Sequence, residues 1–360
     1  MKVVVNGWDL AARPRDADSL GTLEWLNGLA VAKPELDLHL VVPKATRAVE
    51  VENSIKTHEM DVSLSAAAQI RFEQRHLVRF AAEQDVDVLY YPTGGAPLNS
   101  PLPVVTFSPH DSKPLDRSFL GRLGWAIRNA GMKGAFSQLC IMEPDVEAAH
   151  SGGEVGIPAW VNPAFNPLQQ PADREALKPH ALRPGFVVSF VQDRRCLRLI
   201  LEVWRGLTDS VDPGQPLVLM GLPDKDLRHA KSLIHDFELG EWVKTIGGVS
   251  LQVLPALYRQ AAFYLHGCQT RTGQELRWAL ATGLPVAGME TRASSRIVQQ
   301  AGYLAPPEDV RGMLAACITV LVEPDFADQL RERGVTRASR YHQDRTLNVL
   351  VNTFRAACSG

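Results

Sequence analysis

Residues 264–288 read YLHGCQTRTGQELRWALATGLPVAG, and this stretch decides the fold. An apolar run from Tyr264 enters a glycine-containing turn, a helical pattern follows, and a second apolar run opens at Pro285. Strand, turn, helix and strand in so short a span make a crossover between parallel neighbours.

The same alternation extends in both directions. Toward the N-terminus, apolar runs predict strands at 2–5, 38–42, 86–91, 104–107 and 139–142, with helices at 21–33, 64–83 and 116–130 between them. A second series predicts strands at 186–191, 217–220, 243–246, 262–266 and 285–287, again separated by helices. The predicted fold class is therefore α/β, with two doubly wound Rossmann-like domains. Residues 161–185 carry five prolines and no clean period, so the linker is expected there, with a short helix at 173–177. The expected organisation is a first domain over 1–165, a linker over 166–184, a second domain over 185–342, and a C-terminal helix over 343–360 packing back on the first domain. Residues 307–357 are helical by period, with Glu308 and Asp309 at one helix start and Asp344 at another, where carboxylates complement the dipole.

Bulk properties agree with two soluble domains. The 360 residues exceed the length at which single cores stop growing. A net charge of −2 gives no basic excess of the kind that nucleic acid demands, so no nucleic-acid partner is expected. The start, MKVVVNGWDL, is too short in apolar residues for a signal peptide core, and no run reaches the length of a membrane span. A cytoplasmic location is expected, with peripheral contact at the inner face of the membrane as an option. The five cysteines are scattered without CxxC spacing and read as small buried hydrophobes, so no metal site is expected.

GxGxxG after the first strand, GxxxxGK[ST], GxSxG and HExxH are all missing, which counts against dehydrogenases, P-loop enzymes, serine hydrolases and zincins. Ligands of open parallel sheets sit beyond the carboxyl ends of the strands, so the segments after the strands are the places to look. After the first strand come Asn6 and Gly7, then SLGTLEW, where Gly21 opens either a phosphate-receiving helix or an ordinary turn capped by Ser19. VVTFSPHD, 104–111, delivers His110 and Asp111 to a strand end, as a proton-sharing pair or as a plain proline-flanked turn. Arg194, Arg195 and Arg198 stand at a helix opening, where cations oppose the dipole unless an anion lies close; a diphosphate would be one, and solvated surface arginines are the alternative. Gly247 and Gly248 expose backbone after another strand.

In order and spacing, 72–111, 155–167, 246–267 and ALATGLPVAG with AGYLAPPED resemble the group 1, or family 4, retaining glycosyltransferases of GT-B fold. The resemblance implies two Rossmann-like domains facing across a cleft, a nucleotide-sugar donor on the second, a glycan or lipid-linked acceptor on the first, and no obligatory metal or cofactor. It implies a phosphate-loop role for Gly21, contact of His110 with the sugar, diphosphate binding by Arg194 and Arg195, and base binding at Gly247 and Gly248. It also places Arg271, Gly273, Glu275 and Trp278 with the donor and Thr270 with the catalytic groups.

Departures from the family pattern are concentrated at the charges. Its two glutamates eight positions apart are Thr270 and Trp278 here, a further one is Arg296, and Gly-Arg after the first strand of the second domain is Val191-Gln192-Asp193. Threonine cannot supply a carboxylate's charge, and an indole would fill the ribose pocket or stack; Glu275 and Glu290 are the carboxylates placed to compensate. Two functions are therefore expected as alternatives: an active retaining transferase with an altered donor site, or a degenerate homologue serving as a binding protein or as the partner subunit of another transferase. On the helix after His110 and Asp111, Trp125 and Arg128 either face a membrane or pack on the sheet.

Overall fold

Val3, Val4 and Val5 have no exposed surface, and they form the middle of β1 (Lys2–Asn6), a strand covered on both faces as parallel sheets require. The computed structural model describes residues 1–44, 49–108, 118–144, 154–223 and 226–359. The chain divides into two units, Met1–Pro14 with Asp18–Trp160 and His342–Gly360, and Arg15–Ala17 with Val161–Tyr341.

In the first unit, β1 pairs on one side with β2 (Asp37–Pro43), which pairs with β3 (Lys56–Met60). On its other side stand β4 (Val88–Tyr91), β5 (Val104–Phe107), β6 (Ser137–Met142) and β7 (Glu154–Pro158), and every pairing is parallel. The helices are α1 (Trp8–Ala12), α2 (Ala17–Ala32), α3 (Ala66–Arg71), α4 (Leu77–Glu83), α5 (Phe119–Met132) and, from the far end of the chain, α14 (Gln343–Ser359). A π-helical turn at Phe72–His76 joins α3 to α4, so the single helix expected at 64–83 has one irregular turn in its middle. In α14, Thr346 donates to the carbonyl of Pro158 at 2.8 Å and Phe354 meets Tyr90 edge-on.

In the second unit the parallel order is β10 (Val243–Thr245), β9 (Leu217–Met220), β8 (Val187–Phe190), β11 (Tyr264–His266), β12 (Val286–Met289) and β13 (Gly302–Ala305). Its helices are α6 (Pro171–Leu177), α7 (Arg194–Ser210), α8 (Leu227–Asp236), α9 (Leu254–Gln260), α10 (Gln274–Thr282), α11 (Arg292–Val298), α12 (Val310–Val322) and α13 (Pro324–Ala338). Leu197, Ile200, Leu201, Trp204 and Leu207 recur at helical spacing on α7, and all five are fully buried in the core. At roughly 1.5 to 3 kcal/mol per buried large apolar side chain, this face alone accounts for the docking of the helix.

The stretch 166–184, read as a linker, lies within the second unit. There Asp173 near the start of α6 takes both Nε and Nη2 of Arg259 on α9, each at 2.7 Å, in a pair almost without solvent contact. The predicted strands stand within two residues of their expected ends, and β3, β7 and β13 are additions. All three are edge strands whose residues are partly exposed, so they lack the apolar run that announced the others. Gly21 is also corrected: it lies inside α2, which begins at Ala17, and its backbone is part of the helix rather than a free N-terminus.

Candidate functional site

The second sheet winds outward from β8 through β9 and β10 on one side and from β11 through β12 and β13 on the other. The switch point between β8 and β11 is where a doubly wound sheet opens a crevice at its carboxyl edge. Both strand ends are tied together there: Ser189 Oγ donates to the Leu265 carbonyl at 2.7 Å, and Cys268 Sγ to the Phe190 carbonyl at 3.2 Å. From β8 the chain passes through 191–193 into α7, and from β11 through 267–273 into α10.

Asp193 caps α7, its Oδ1 accepting from the Cys196 amide at 2.8 Å. Arg194 and Arg195 follow at once. Arg194 Nε donates to Asp226 Oδ1 at 2.9 Å, Arg195 is ion-paired with Glu308, and Arg198 with Glu202 on the next turn at 2.9 Å. The anions that reconcile three cations with a positive helix end are thus carboxylates of the chain itself. Asp226 follows β9 and Glu308 follows β13, so three loops of one sheet edge converge on the start of α7. Glu308 adopts a left-handed backbone, φ +65, unusual for a residue other than glycine. Both guanidinium groups are more than half exposed; the Arg195–Glu308 pair, exposed on both sides, contributes about 0 to 1 kcal/mol, whereas Asp226 beside Arg194 is largely buried.

At the other strand end, the Gly273 amide donates to Thr270 Oγ1 at 2.8 Å, and Thr270 Oγ1 donates to Glu275 Oε2 at 3.2 Å. Gly273 holds φ +71, and a Cβ there would stand 2.1 Å from Ile297 Cδ1, so only glycine fits this turn. Thr270 and Glu275 are buried, and Arg271 is partly buried. Arg277, fully buried, donates to the Thr272 carbonyl at 2.7 Å and clamps the same turn from behind. The negative charge of Glu275 adds to the burial that holds the Tyr258 and Tyr264 phenols well above their ordinary range.

Trp278, expected at a ribose pocket, is a core residue. It has no exposed surface, stacks on Phe165 with centroids 5.1 Å apart, and meets Tyr258 edge-on at 6.2 Å. An indole enclosed by three rings offers no face to a ligand. Glu290 follows β12 on the surface and accepts from Ser295 Oγ at 2.7 Å.

Gly247 is exposed just beyond β10, and Gly248 takes φ +76, so this turn does present main chain at the carboxyl edge. Arg15, in the short segment that belongs to the second unit, brings Nη1 to 3.4 Å from where a Gly247 Cβ would stand. Nothing local in the sequence points to Arg15, because tertiary structure alone brings it there. His110 and Asp111 lie outside the described residues.

The first unit has its own polar cluster at a carboxyl edge. Glu73, buried in the π-helical turn, accepts from Gln69 Nε2 at 3.0 Å and from Asn6 Nδ2 at 3.4 Å. Arg128 Nε lies 3.1 Å from Glu73 Oε2 without hydrogen-bond alignment, an electrostatic pairing, while Arg128 Nη2 donates to the Gly94 carbonyl at 2.6 Å. Burial outweighs Arg128 and raises the Glu73 carboxyl above its usual range. Arg128 therefore points inward, not toward a membrane.

Residues 183–323 match the family described as glycosyl transferases group 1. O-antigen chain mannosyltransferase B of Escherichia coli is 21% identical over 169 residues, which span 47% of this chain and 44% of that protein, less than half of the relative's length. Sucrose-phosphate synthase from Thermosynechococcus elongatus superposes with a TM-score of 0.74 at 15% identity, over 100% of this chain and 99% of its own. Anabaena Alr3699/HepE, solved in complex with UDP and glucose, superposes with a TM-score of 0.69 at 12% identity, over 99% and 100%. The family match falls within the second unit, and the chain has the fold of its GT-B neighbours, two parallel-sheet Rossmann-like domains.

Proposed function

We propose that this chain transfers a sugar, with retention, from a nucleotide-diphosphate donor to a glycan or lipid-linked acceptor, and that the donor's diphosphate binds at the start of α7. The pairing of two exposed guanidinium groups, Arg194 with the largely buried Asp226 and Arg195 with the exposed Glu308, carries this reading. Such pairs hold the guanidinium groups at the sheet edge, the exposed pair costs little to open, and a diphosphate offers both arginines shorter, charge-assisted bonds. As the sugar–phosphate bond breaks, charge accumulates on the departing oxygen, and two fixed cations stabilise it. The main chain of Gly247, exposed, and of Gly248, partly exposed, with Arg15 beside Gly247, suits the nucleoside end. A mannosyltransferase among the relatives and UDP in a structural neighbour support donors of this class.

A second reading, a binding protein or partner subunit without turnover, has its own support. The Thr270 hydroxyl is committed to Glu275, and Trp278 is committed to the core, so neither position presents a carboxylate to a sugar or a ribose.

Incubation with radiolabelled UDP-glucose, a mannose nucleotide and ADP-glucose, following nucleoside diphosphate release, separates the two. Release with a product of unchanged anomeric configuration supports the transferase. Donor binding without release supports the second reading, and no binding of any donor overturns both the donor site and the transferase.

A further inference from the structure

Arg194 and Arg195 are neighbours in the chain, yet their acids hold them by different ends. Arg194 reaches Asp226 Oδ1 through the inner Nε at 2.9 Å, and its two terminal nitrogens make no hydrogen bond among the described residues. Arg195 meets Glu308 through the terminal Nη2. A guanidinium grips phosphate oxygens with its planar fork of donors. Arg194 is therefore held from behind with its outer pair left to an incoming anion, whereas Arg195 already has one of that pair occupied by the chain itself.

The acids differ in the same sense. The Asp226 side chain is 14% exposed and that of Glu308 is 63% exposed. Solvent already screens the Glu308 pair, so an anion from water can take its place, but a departing Arg194 would strand the Asp226 carboxylate away from water. Glu308 also holds φ +65, a backbone that glycine adopts more readily. Its turn is fastened without its side chain: the Val310 amide donates to the Glu308 carbonyl at 3.0 Å, and Asp309 Oδ1 accepts from the Gly312 amide at 3.0 Å. Among the described residues, Arg195 is the one hydrogen-bond partner of the Glu308 carboxylate. A strained residue whose side chain serves a single ion pair fits a clamp or a switch better than a structural prop.

We propose that the two acids act in opposite directions on the anion site, an assignment that rests on a diphosphate binding at the start of α7. Asp226 is a positioning residue, which keeps Arg194 in place while the diphosphate binds. Glu308 is an internal competitor, which occupies Arg195 until the diphosphate displaces it. Once displaced, the Glu308 carboxylate stays beside a ligand of like charge, so it opposes binding by repulsion as well as by competition. An anion that cannot engage both arginines gains too little to displace it, and the site thereby discriminates against weaker anions.

Calorimetric titration of Glu308→Gln and Asp226→Asn with UDP, GDP and ADP tests both roles. Glu308→Gln is expected to bind the nucleotide that wild type prefers about threefold to tenfold more tightly, and Asp226→Asn about tenfold more weakly, with nucleoside affinity unchanged in both. Asp226→Glu, which keeps the charge, should recover most of the loss. The gain from Glu308→Gln should vanish in an Arg195→Gln background, and the loss from Asp226→Asn in an Arg194→Gln background, a coupling that general damage to the fold would not produce. Glu308 is exposed, so circular dichroism of Glu308→Gln should match wild type. A wild type that binds a diphosphate with an affinity that Glu308→Gln leaves unchanged or weakens would overturn the competitor while leaving the diphosphate site standing. Tighter binding by Asp226→Asn would overturn the positioning role in the same way. No nucleotide bound by the wild type would contradict the diphosphate site itself, and both roles with it.

Discussion

The indole of Trp278 lies flat on the ring of Phe165, their planes 9° apart, and Phe190 and Tyr258 close the cage. Trp278 is thereby part of the core of the second unit. An indole held in this way bears on stability before it bears on binding.

Trp278→Ala removes the largest ring from this cage and should cost about 3 to 5 kcal/mol. Urea unfolding, with the midpoint and slope compared with wild type, measures it. A loss below 1 kcal/mol would mean that the cage is not packed as described.

The turn into α10 gives a sharper contrast. Gly273→Ala forces a Cβ against Ile297 and places alanine at φ +71, and should lower stability by at least about 1 to 2 kcal/mol. Gly240→Ala, where a Cβ meets nothing within 4 Å, should change it by less than about 0.5 kcal/mol. Thermal unfolding of both variants checks the pair.

Much of the fold was legible because central strands of parallel sheets are continuous apolar runs, as VVV in β1 and LVLM in β9 are. β3, KTHEM, has no such run because an edge strand needs none, and the start of α2 was hidden because Ser19 reads as the cap of a turn. At the candidate site, Asp193 before α7 could be read locally as a cap. Asp226 and Glu308 could not be matched to their arginines, since 32 and 113 residues separate the partners. Thr270 and Glu275 were visible as residues, but their shared hydrogen bond depends on the αL turn at Gly273, which composition does not announce.

His266, at the end of β11, gives a prediction in pH. It is buried, its Nε2 has no hydrogen-bond partner among the described residues, and desolvation pushes its pKa down to about 4. Between pH 6.5 and about 4 the unfolded chain binds a proton here and the folded chain does not. Its contribution is complete above pH 6.5 and falls as the pH drops through that window, by about 3 kcal/mol in all. In His266→Phe, stability measured by urea unfolding from pH 7 to 4 should fall less steeply; a slope identical to wild type would show that His266 does not titrate in this way.

Calorimetric titration with UDP, GDP and ADP, alongside the matching nucleosides, reaches the central claim most directly. Wild type is predicted to bind at least one of the diphosphates, and Arg194→Gln/Arg195→Gln to weaken that binding by tenfold or more, while nucleoside affinity stays within about 1 kcal/mol of wild type. Diphosphate affinity unchanged by the double substitution, or no nucleotide bound by the wild type, would contradict a diphosphate site at the start of α7.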